Sequence, residues 1–260
     1  MDLVLVAPSA ILAALIVTFH RRRLRLAAFC RRIVSNSDSQ REAAFAVARF
    51  LFSEVKRARD PPFLTRLLAP LGASPPSVLE HGGCCSGIHR LFITSLDTLG
   101  IQSAQLTLYR RVERVAGHCI AQVAVDSEKI IIDVDYGVWF RHPNGGSISL
   151  EELRAGVPPL IEPFVFDKKA HAADGSEVRE AGYPPCPYFD FDYRLTRTAN
   201  WTMSLLRRVV YPVLAVLTRG RVDVFLVAPV FEWPEVLLAC VVSASVIVCV
   251  AAKAAYALAL

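Results

Sequence analysis

The stretch HGGCCSGIHRLFITSLDTLG, from His81 to Gly100, decides the fold of this chain. Apolar residues recur in it at steps of three, one, four and three, at Ile88, Leu91, Phe92, Leu96 and Leu99. That spacing predicts a helix with one buried face, ended by Gly100. Two cysteines stand at the predicted N-terminus, where the positive end of the helix dipole favours a thiolate. The stretch therefore predicts either a cysteine nucleophile or two small buried side chains.

The chain after Gly100 changes character. Three apolar segments rich in strand-forming residues follow, at 104–112, 118–125 and 130–134, and the last two are separated by the turn-like sequence DSEK. Helices are predicted at 35–52 and 149–155. One helix that carries cysteine, followed by an antiparallel sheet, indicates an α+β domain.

Candidate partners for a nucleophilic thiol lie on two neighbouring strands. Such a thiol needs a base, and the base needs a third group that fixes its tautomer. A turn centred on the Asp-Ser pair of DSEK places Asp135 opposite His118, with Asp133 as the diagonal neighbour. A turn displaced by one residue, or a bulge, brings Asp133 opposite instead. Because side chains alternate along a strand, both carboxylates share a face with His118. Asp133 is also the one polar residue in an apolar run, so it needs a partner.

These segments resemble the transglutaminase-like (papain-like) superfamily, which also includes the arylamine N-acetyltransferases. The family pattern is a cysteine at a helix start, a Gly-Ile helix end, a histidine that opens a strand and an aspartate that ends the next. CSGIHRLFITSLDTLGI has Cys85 fifteen residues before Gly100, which favours Cys85 over Cys84 as the nucleophile. The resemblance covers roughly residues 78–156, with a weaker echo at 188–201.

The other two motifs supply the rest of the resemblance. GHCIAQVAV supplies His118, and IIDVDYG supplies Asp133 fifteen residues later, which favours Asp133 over Asp135. Bacterial members often carry a proline directly after this aspartate, where this chain has Val134. The resemblance implies a transglutaminase-like domain with a catalytic triad of Cys85, His118 and Asp133.

The implied chemistry is covalent acyl transfer. The Cys85 thiolate would attack an amide, ester or thioester carbonyl, and the acyl-enzyme would then pass to an amine or to water. The helix dipole and His118 are expected to lower the thiol pKa. The backbone N–H of Cys85 is expected in the oxyanion hole, with His81 and Asp135 as further oxyanion or accessory candidates. No cofactor or metal is implied.

Several residues near these motifs are not assigned to the triad. Cys84 is expected to be a packing residue, and Cys119 is expected to face away from His118 into the core. His89, one turn after Cys85, either lines the site or is simply exposed. Folds of this kind also persist without activity, so an inactive binding or scaffold subunit of a membrane assembly is the alternative function.

Both ends of the chain are strongly apolar. Leu3–Phe19 is an uncharged run of 17 residues, and Pro234–Leu260 is interrupted only by Lys253. Both are candidate transmembrane helices, and Trp233 precedes the second as an interfacial aromatic would. Arginines flank the inner sides of both runs, at Arg21, Arg22, Arg23, Arg25, Arg31, Arg32, Arg207, Arg208, Arg219 and Arg221. This bias predicts a cell-membrane protein whose catalytic domain is cytoplasmic.

The composition agrees with that location. The flanking arginines explain most of the net charge of +5, and no nucleic-acid motif accompanies them. Seven cysteines without a framework spacing indicate reduced thiols. The expected partners are the membrane, a protein, peptide or small acyl substrate, and other membrane proteins. The expected divisions begin with a first transmembrane helix at 1–20 and a basic lead-in at 21–77. The transglutaminase-like domain follows at 78–200, then an interfacial segment at 201–233 and the last transmembrane helix at 234–260.

Overall fold

The structure is a computed structural model of the whole chain. It describes residues 3–57, 75–164, 188–198, 211–213, 215–217, 219 and 233–259. Residues 58–74 of the predicted lead-in and most of the interfacial segment 201–233 therefore lie outside the described residues.

The described elements form an α+β domain with a long helix at each end. The helices are α1 (Leu3–Ile33), α2 (Gln40–Glu54), α3 (Pro75–His81), α4 (Cys85–Thr98), α5 (Leu150–Arg154) and α6 (Pro234–Ala259). The strands are β1 (Ser103–Tyr109), β2 (Ala116–Val125), β3 (Glu128–Asp133), β4 (Val138–Arg141) and β5 (Leu160–Pro163). Short 3₁₀ turns follow at Tyr188–Asp190 and Tyr193–Leu195.

The five strands of the described residues form one antiparallel sheet in chain order. The three predicted strands are confirmed, and β4 and β5 are additions. Each has only four residues, too few to show a period. Within the described residues β5 pairs only with β4, so Pro163 lies on a sheet edge, where a missing N–H is tolerated.

The hairpin between β2 and β3 has the predicted turn. Asp126 and Ser127 both have positive φ, 47° and 72°, as the central residues of a type I′ turn do. Ala121 therefore lies opposite Ile132, and Val125 lies opposite Glu128. Extending this register towards the open end of the hairpin gives the predicted diagonal relation of His118 to Asp133.

Helix α4 has the predicted amphipathic pattern and ending. Four of its five predicted core residues are buried, and Leu99 at the end is partly buried. The Gly100 N–H donates to the Asp97 carbonyl and the Ile101 N–H donates to the Leu96 carbonyl. This is a Schellman ending, with Gly100 in the left-handed region at φ 76°. The buried face packs on β1 and β2.

The sheet separates two apolar clusters. The larger joins α1, α2 and α4 to one face of β2 and β3. The smaller lies on the opposite face and contains α5, Ile120 and Ile131, together with Tyr188, Phe191 and Tyr193 of the 3₁₀ turns. Both faces of the central strands are therefore covered, which explains why the β3 side chains from Ile130 to Asp133 are all buried.

The first helix continues past its apolar half. Helix α1 runs unbroken from Leu3 to Ile33, so no structural break occurs at the expected division near residue 20. Its second half carries Leu26 and Cys30 into the larger cluster. The N-terminal transmembrane helix stays a prediction, because in the described part of the chain one helical window is apolar enough to cross a bilayer, Leu238–Ala255 in α6.

The start of α6 is bound to α1 by specific contacts. Trp233 is buried and packs edge-on against Phe19, with ring centroids 5.4 Å apart. Arg22 donates to the buried carboxylate of Glu235. The expectation of an interfacial Trp233 is therefore wrong, because its ring is enclosed by protein.

Candidate active site

A glycine loop places Cys85 at the start of α4. Gly82 adopts φ 82°, and a Cβ there would lie 2.4 Å from the Lys56 carbonyl oxygen, so only glycine fits. The next N–H, of Gly83, donates to that same carbonyl at 3.0 Å, and Arg57 bridges to Gly83. The two glycines before the cysteines therefore join this loop to the chain after α2, and they bring Arg57 to the N-terminus of α4.

Cys85 is the first residue of α4. Cys84 is the N-cap and makes no side-chain capping bond to the helix. The N–H groups of the first helical turn have no carbonyl partner within their own helix. The Cys85 sulfur consequently lies beside donors of the kind that an oxyanion needs.

His118 bridges the cysteine to a carboxylate. Its Nε2 lies 2.5 Å from Oδ2 of Asp133, and the neighbouring Cys85 side chain helps to raise the pKa of the ring. Because Nε2 is occupied by the carboxylate, Nδ1 is the nitrogen that remains for the sulfur. A bulge at Gly117 lies directly before His118, where the register of β1 with β2 shifts. The structure thus brings Cys85, His118 and Asp133 together.

Asp133 is fully buried and has several donors. Oδ2 accepts a hydrogen bond from the Tyr188 hydroxyl at 2.5 Å. Oδ1 accepts the backbone N–H groups of Asp135 and Tyr136 at 3.0 and 3.2 Å. Burial alone would raise the pKa of Asp133, but His118, with a smaller effect from the Tyr188 hydroxyl, holds it below its usual value.

The Asp133 carboxylate controls the charge of its neighbours. Burial opposes protonation of His118, but Asp133 outweighs it and raises the pKa of His118 to about 10. Burial, followed by the Asp133 charge, raises the pKa of Tyr188 well above its usual value. Tyr188 therefore stays protonated and donates.

The thiol itself behaves differently from the expectation. The pKa of Cys85 is raised, first by a hydrogen bond with Cys119 and then by burial, while His118 acts in the opposite direction. His118 therefore acts in the expected direction, but Cys119 and burial outweigh it, so the expectation of a lowered pKa for Cys85 is wrong. Cys119 is buried as expected, but it lies next to the Cys85 thiol.

His89 is fully buried, so the expectation that it is exposed is wrong. The Val134 N–H donates to its Nε2 at 3.1 Å, and its Nδ1 donates to the Cys85 carbonyl at 2.8 Å. Burial lowers the pKa of His89, so the ring is neutral in both contacts. His89 therefore ties the start of α4 to the end of β3 and keeps Cys85 and Asp133 in fixed relation.

Asp135 is not directed at His118. Its buried carboxylate forms an ion pair with Arg57 at 3.3 Å. The same guanidinium donates to the Tyr136 hydroxyl at 3.2 Å and lies over the Tyr136 ring, which packs against His118. Burial disfavours the charge on Arg57, but Asp135 more than offsets this and raises the Arg57 pKa. Asp135 thus holds a cation near the thiol.

His81 lies at the end of α3 with its side chain 75% exposed. Its Nδ1 lies 3.2 Å from the Ser77 carbonyl of its own helix. None of its described contacts joins it to Cys85, so this placement gives no support to an oxyanion role. Among the described residues there is also no cluster of three or more side chains suited to a metal ion.

Comparisons with known proteins give two partial likenesses. No protein-family model and no curated protein matches the sequence. A "putative protease" from Parabacteroides distasonis is 16% identical over 48% of this chain, with a TM-score of 0.36. A "putative cysteine protease" from Cytophaga hutchinsonii is 14% identical over 44% of this chain, also with a TM-score of 0.36. This chain spans 26% and 37% of those two chains. At this similarity neither neighbour assigns an activity, so the function must come from the residues of the site.

Two residues of the site, Tyr188 and Arg57, had no predicted role in the sequence, and for His89 a place in the site was one of two alternatives. Tyr188 and Arg57 are far from the motifs along the chain, and the only signal for Tyr188 was the weaker echo at 188–201. His89 had a usable signal, since it lies four residues after Cys85 and therefore on the same helix face. An apolar environment for that face makes a buried, bonded histidine the expected result.

Proposed function

We propose that this chain is a membrane-anchored cysteine acyltransferase or amidase that forms an acyl-enzyme on Cys85. The observation that supports it most directly is the position of His118, which binds the buried Asp133 carboxylate through Nε2 and lies close enough to the Cys85 thiol for each to shift the pKa of the other. This is the nucleophile, base and orienting group of a cysteine acyl-transfer site.

The proposed reaction begins with transfer of the thiol proton to His118. The sulfur attacks a carbonyl carbon of an amide or thioester, and the C–S bond forms as the carbonyl π electrons move to oxygen. N–H groups at the start of α4, including that of Cys85, stabilise this oxyanion. His118 then gives its proton to the departing amine or thiol, and the carbonyl re-forms as the thioester acyl-enzyme.

The second half regenerates the thiol. An amine or a water molecule loses a proton to His118 as it attacks the acyl-enzyme, and the proton returns to the leaving Cys85 sulfur. Asp133 stays ionised and keeps the imidazole oriented, and Tyr188 and the backbone N–H groups keep Asp133 in place. The acceptor, amine or water, determines whether the enzyme is a transferase or a hydrolase.

Acylation of Cys85 is the direct test of the activity. The detergent-solubilised protein would be mixed with p-nitrophenyl acetate and analysed by intact mass and peptide mapping. We expect an acetyl group on Cys85, released by hydroxylamine, in the wild type but not in Cys85→Ser or His118→Ala. Cys84 is the matched neighbouring thiol. Equal labelling of Cys84 and Cys85, or unchanged Cys85 labelling without His118, would contradict the proposal.

The inactive scaffold is the second candidate, and the raised pKa of the Cys85 thiol favours it. A thiol that keeps its proton is a weak nucleophile. Absence of acylation in a folded protein with both cysteines reduced would favour this alternative. Membrane partners that co-purify with the chain would then be the next observation to seek.

Membrane anchoring rests on α6 and on the arginine bias. The window Leu238–Ala255 has the length and hydropathy of a membrane span, and α1 packs against α6 through Phe19 and Arg22. We propose that α6, paired with α1, holds the domain at the membrane, with the arginine-flanked catalytic domain on the cytoplasmic side.

A further inference from the structure

A large cavity lies on the sheet face opposite the Cys85 helix. It has a volume of about 850 Å³ and is bounded by the end of α5, the chain that leads from it to β5, and the 3₁₀ turns at 188–194. Cavities of this size accommodate small organic ligands. Cys85, His118 and Asp133 do not line this cavity, so it can hold a ligand other than the substrate of the proposed reaction.

The cavity lining is positively charged. Arg111, Arg154 and Arg194 line it together with one carboxylate, Asp192. Arg194 already binds Asp192 through Nε and Nη2, at 3.0 and 3.2 Å from the two carboxylate oxygens. Arg154 donates to the Thr196 carbonyl, which carries no net charge. The guanidinium groups of Arg111 and Arg154 therefore exceed the negative charge in the lining.

Apolar walls complete the lining. Val157 and Ile161 contribute aliphatic surface, and the Phe189 ring is 75% exposed although it borders the cavity. An exposed phenylalanine beside arginines that outnumber the carboxylates of the lining is a pairing suited to a ligand with an apolar body and an anionic end. Arg111 and Phe189 also border a smaller adjoining cavity of about 330 Å³, so this surface extends outward from the main opening.

The cavity wall is continuous with the catalytic residues. Tyr188 lines the cavity with its ring and donates its hydroxyl to Asp133. Phe191 lines it too and packs against His118, with ring centroids 6.4 Å apart. The cavity is thus separated from the His118–Asp133 pair by a single layer of aromatic side chains.

We propose that this cavity is a binding site for an amphipathic anion, a carboxylate or phosphate joined to an apolar or aromatic group. Arg111 and Arg154 bind the anionic end, and the Val157, Ile161 and Phe189 side chains bind the apolar body. The site is distinct from Cys85 and does not depend on acyl transfer.

Ligand-observed NMR with a matched pair of probes tests the charge requirement. 4-Phenylbutyrate and its neutral amide, 4-phenylbutyramide, share a carbon skeleton, and 4-phenylbutyl phosphate distinguishes the two anions. They would be titrated against the detergent-solubilised full chain, with empty micelles subtracted. We expect both anions to bind at least about tenfold more tightly than the amide, a ratio typical of one charge-assisted contact. Equal binding of the amide and the anions, or no binding of any probe to folded protein, would overturn the proposal.

Arginine variants test the location. Arg111→Gln and Arg154→Gln are each expected to weaken anion binding by roughly fivefold or more. Arg114→Gln is the matched control. Arg114 is an exposed arginine on the same β1–β2 hairpin as Arg111, and it does not line the cavity. Loss of binding in Arg114→Gln alone, or full binding in both cavity variants, would overturn the proposal. Cys85→Ser is expected to bind the anions normally, which separates this outcome from the outcome for catalysis.

Discussion

Contact between two thiols is the residue-scale feature that most affects the chemistry. Cys119 raises the pKa of Cys85 and opposes the action of His118. The neighbour of a catalytic thiol thus determines how much of it is ionised at neutral pH. The same contact explains why a helix N-terminus and a nearby imidazole do not by themselves guarantee a thiolate.

Removing that contact is expected to activate the thiol. In Cys119→Ala the pKa of Cys85 should fall, because the hydrogen-bonding partner that raises it is absent. We expect iodoacetamide alkylation of Cys85 at neutral pH to accelerate by roughly three- to tenfold, since one pKa unit is about a tenfold change in thiolate. Peptide mass spectrometry over a range of pH measures this rate. Cys249→Ala, a change of an exposed thiol in α6, is the control; an unchanged Cys85 rate in Cys119→Ala would contradict the role of the contact.

The pH dependence of stability follows from the two histidines. The pKa of His118 is raised to about 10, against an ordinary value of about 6.5. The stabilisation from the charged His118 is therefore complete below about pH 6.5, as long as Asp133 stays ionised, and it is lost as pH rises through the folded-state pKa. His89 has a lowered pKa, so its contribution is complete above about pH 6.5 and is lost as pH falls.

His118→Gln isolates the alkaline part of this dependence. The variant should be less stable than the wild type at about pH 6, and the difference should shrink towards about pH 10 because the wild type loses its ion pair there. Thermal unfolding of both proteins in one detergent across this range measures the difference. A difference that grows with pH would show that His118 is neutral in the folded protein.

At the scale of elements, the turn after β3 positions the carboxylates. Residues 134–137 supply the N–H groups that bind Asp133, and they carry Asp135 to Arg57. Gly137 ends this turn with φ 65°, and a Cβ there would meet the Phe52 ring of α2 at 3.1 Å. The turn is thus restrained both by its own backbone hydrogen bonds and by its contact with Phe52 of α2.

Gly137→Ala is expected to destabilise the domain by about 2 kcal/mol or more, from a left-handed backbone and from crowding against Phe52. Gly100→Ala is the matched control, because Gly100 has φ 76° and open space around its Cα. It should cost only about 1 kcal/mol. Denaturant unfolding of both variants gives the comparison. Equal losses would mean that the Phe52 contact contributes nothing.

At the scale of the whole molecule, α1 joins the domain to α6, the helix that contains the long apolar window. The second half of α1 reaches the domain core, and Phe19 and Arg22 near its middle contact Trp233 and Glu235 at the start of α6. The apolar remainder of α6 is exposed around Leu238–Ala255, with none of that window buried in protein. By length and composition this surface is long and apolar enough to cross a bilayer.

Thiol labelling tests that environment. Cys240 and Cys249 lie on α6 and are exposed to solvent in the structure. In liposomes we expect both to react at least about tenfold more slowly with a membrane-impermeant maleimide than after solubilisation in SDS, since the bilayer core excludes the reagent. Cys84, which is partly exposed in the domain, serves as the aqueous control in permeabilised vesicles. Rapid labelling of both α6 cysteines in intact liposomes would contradict a membrane span.

Local patterns in the sequence determined the helix that carries Cys85, its glycine ending and three strands, and they limited the register of the central hairpin to two alternatives. Each of these depends on side-chain periodicity or on turn residues, which act over a few positions. Those same rules placed Asp133 and Asp135 on one face with His118, and they could not separate the two further without the family resemblance.

Only the tertiary structure decided which groups meet. Asp135 turns to Arg57 because the Gly82 loop brings the end of α2 to the site, and Asp133 is enclosed by His118 and Tyr188. The raised pKa of Cys85, the burial of His89 and the enclosure of Trp233 likewise depend on neighbours distant along the chain. Burial and through-space charge determine ionisation, and neither is encoded in the local sequence pattern.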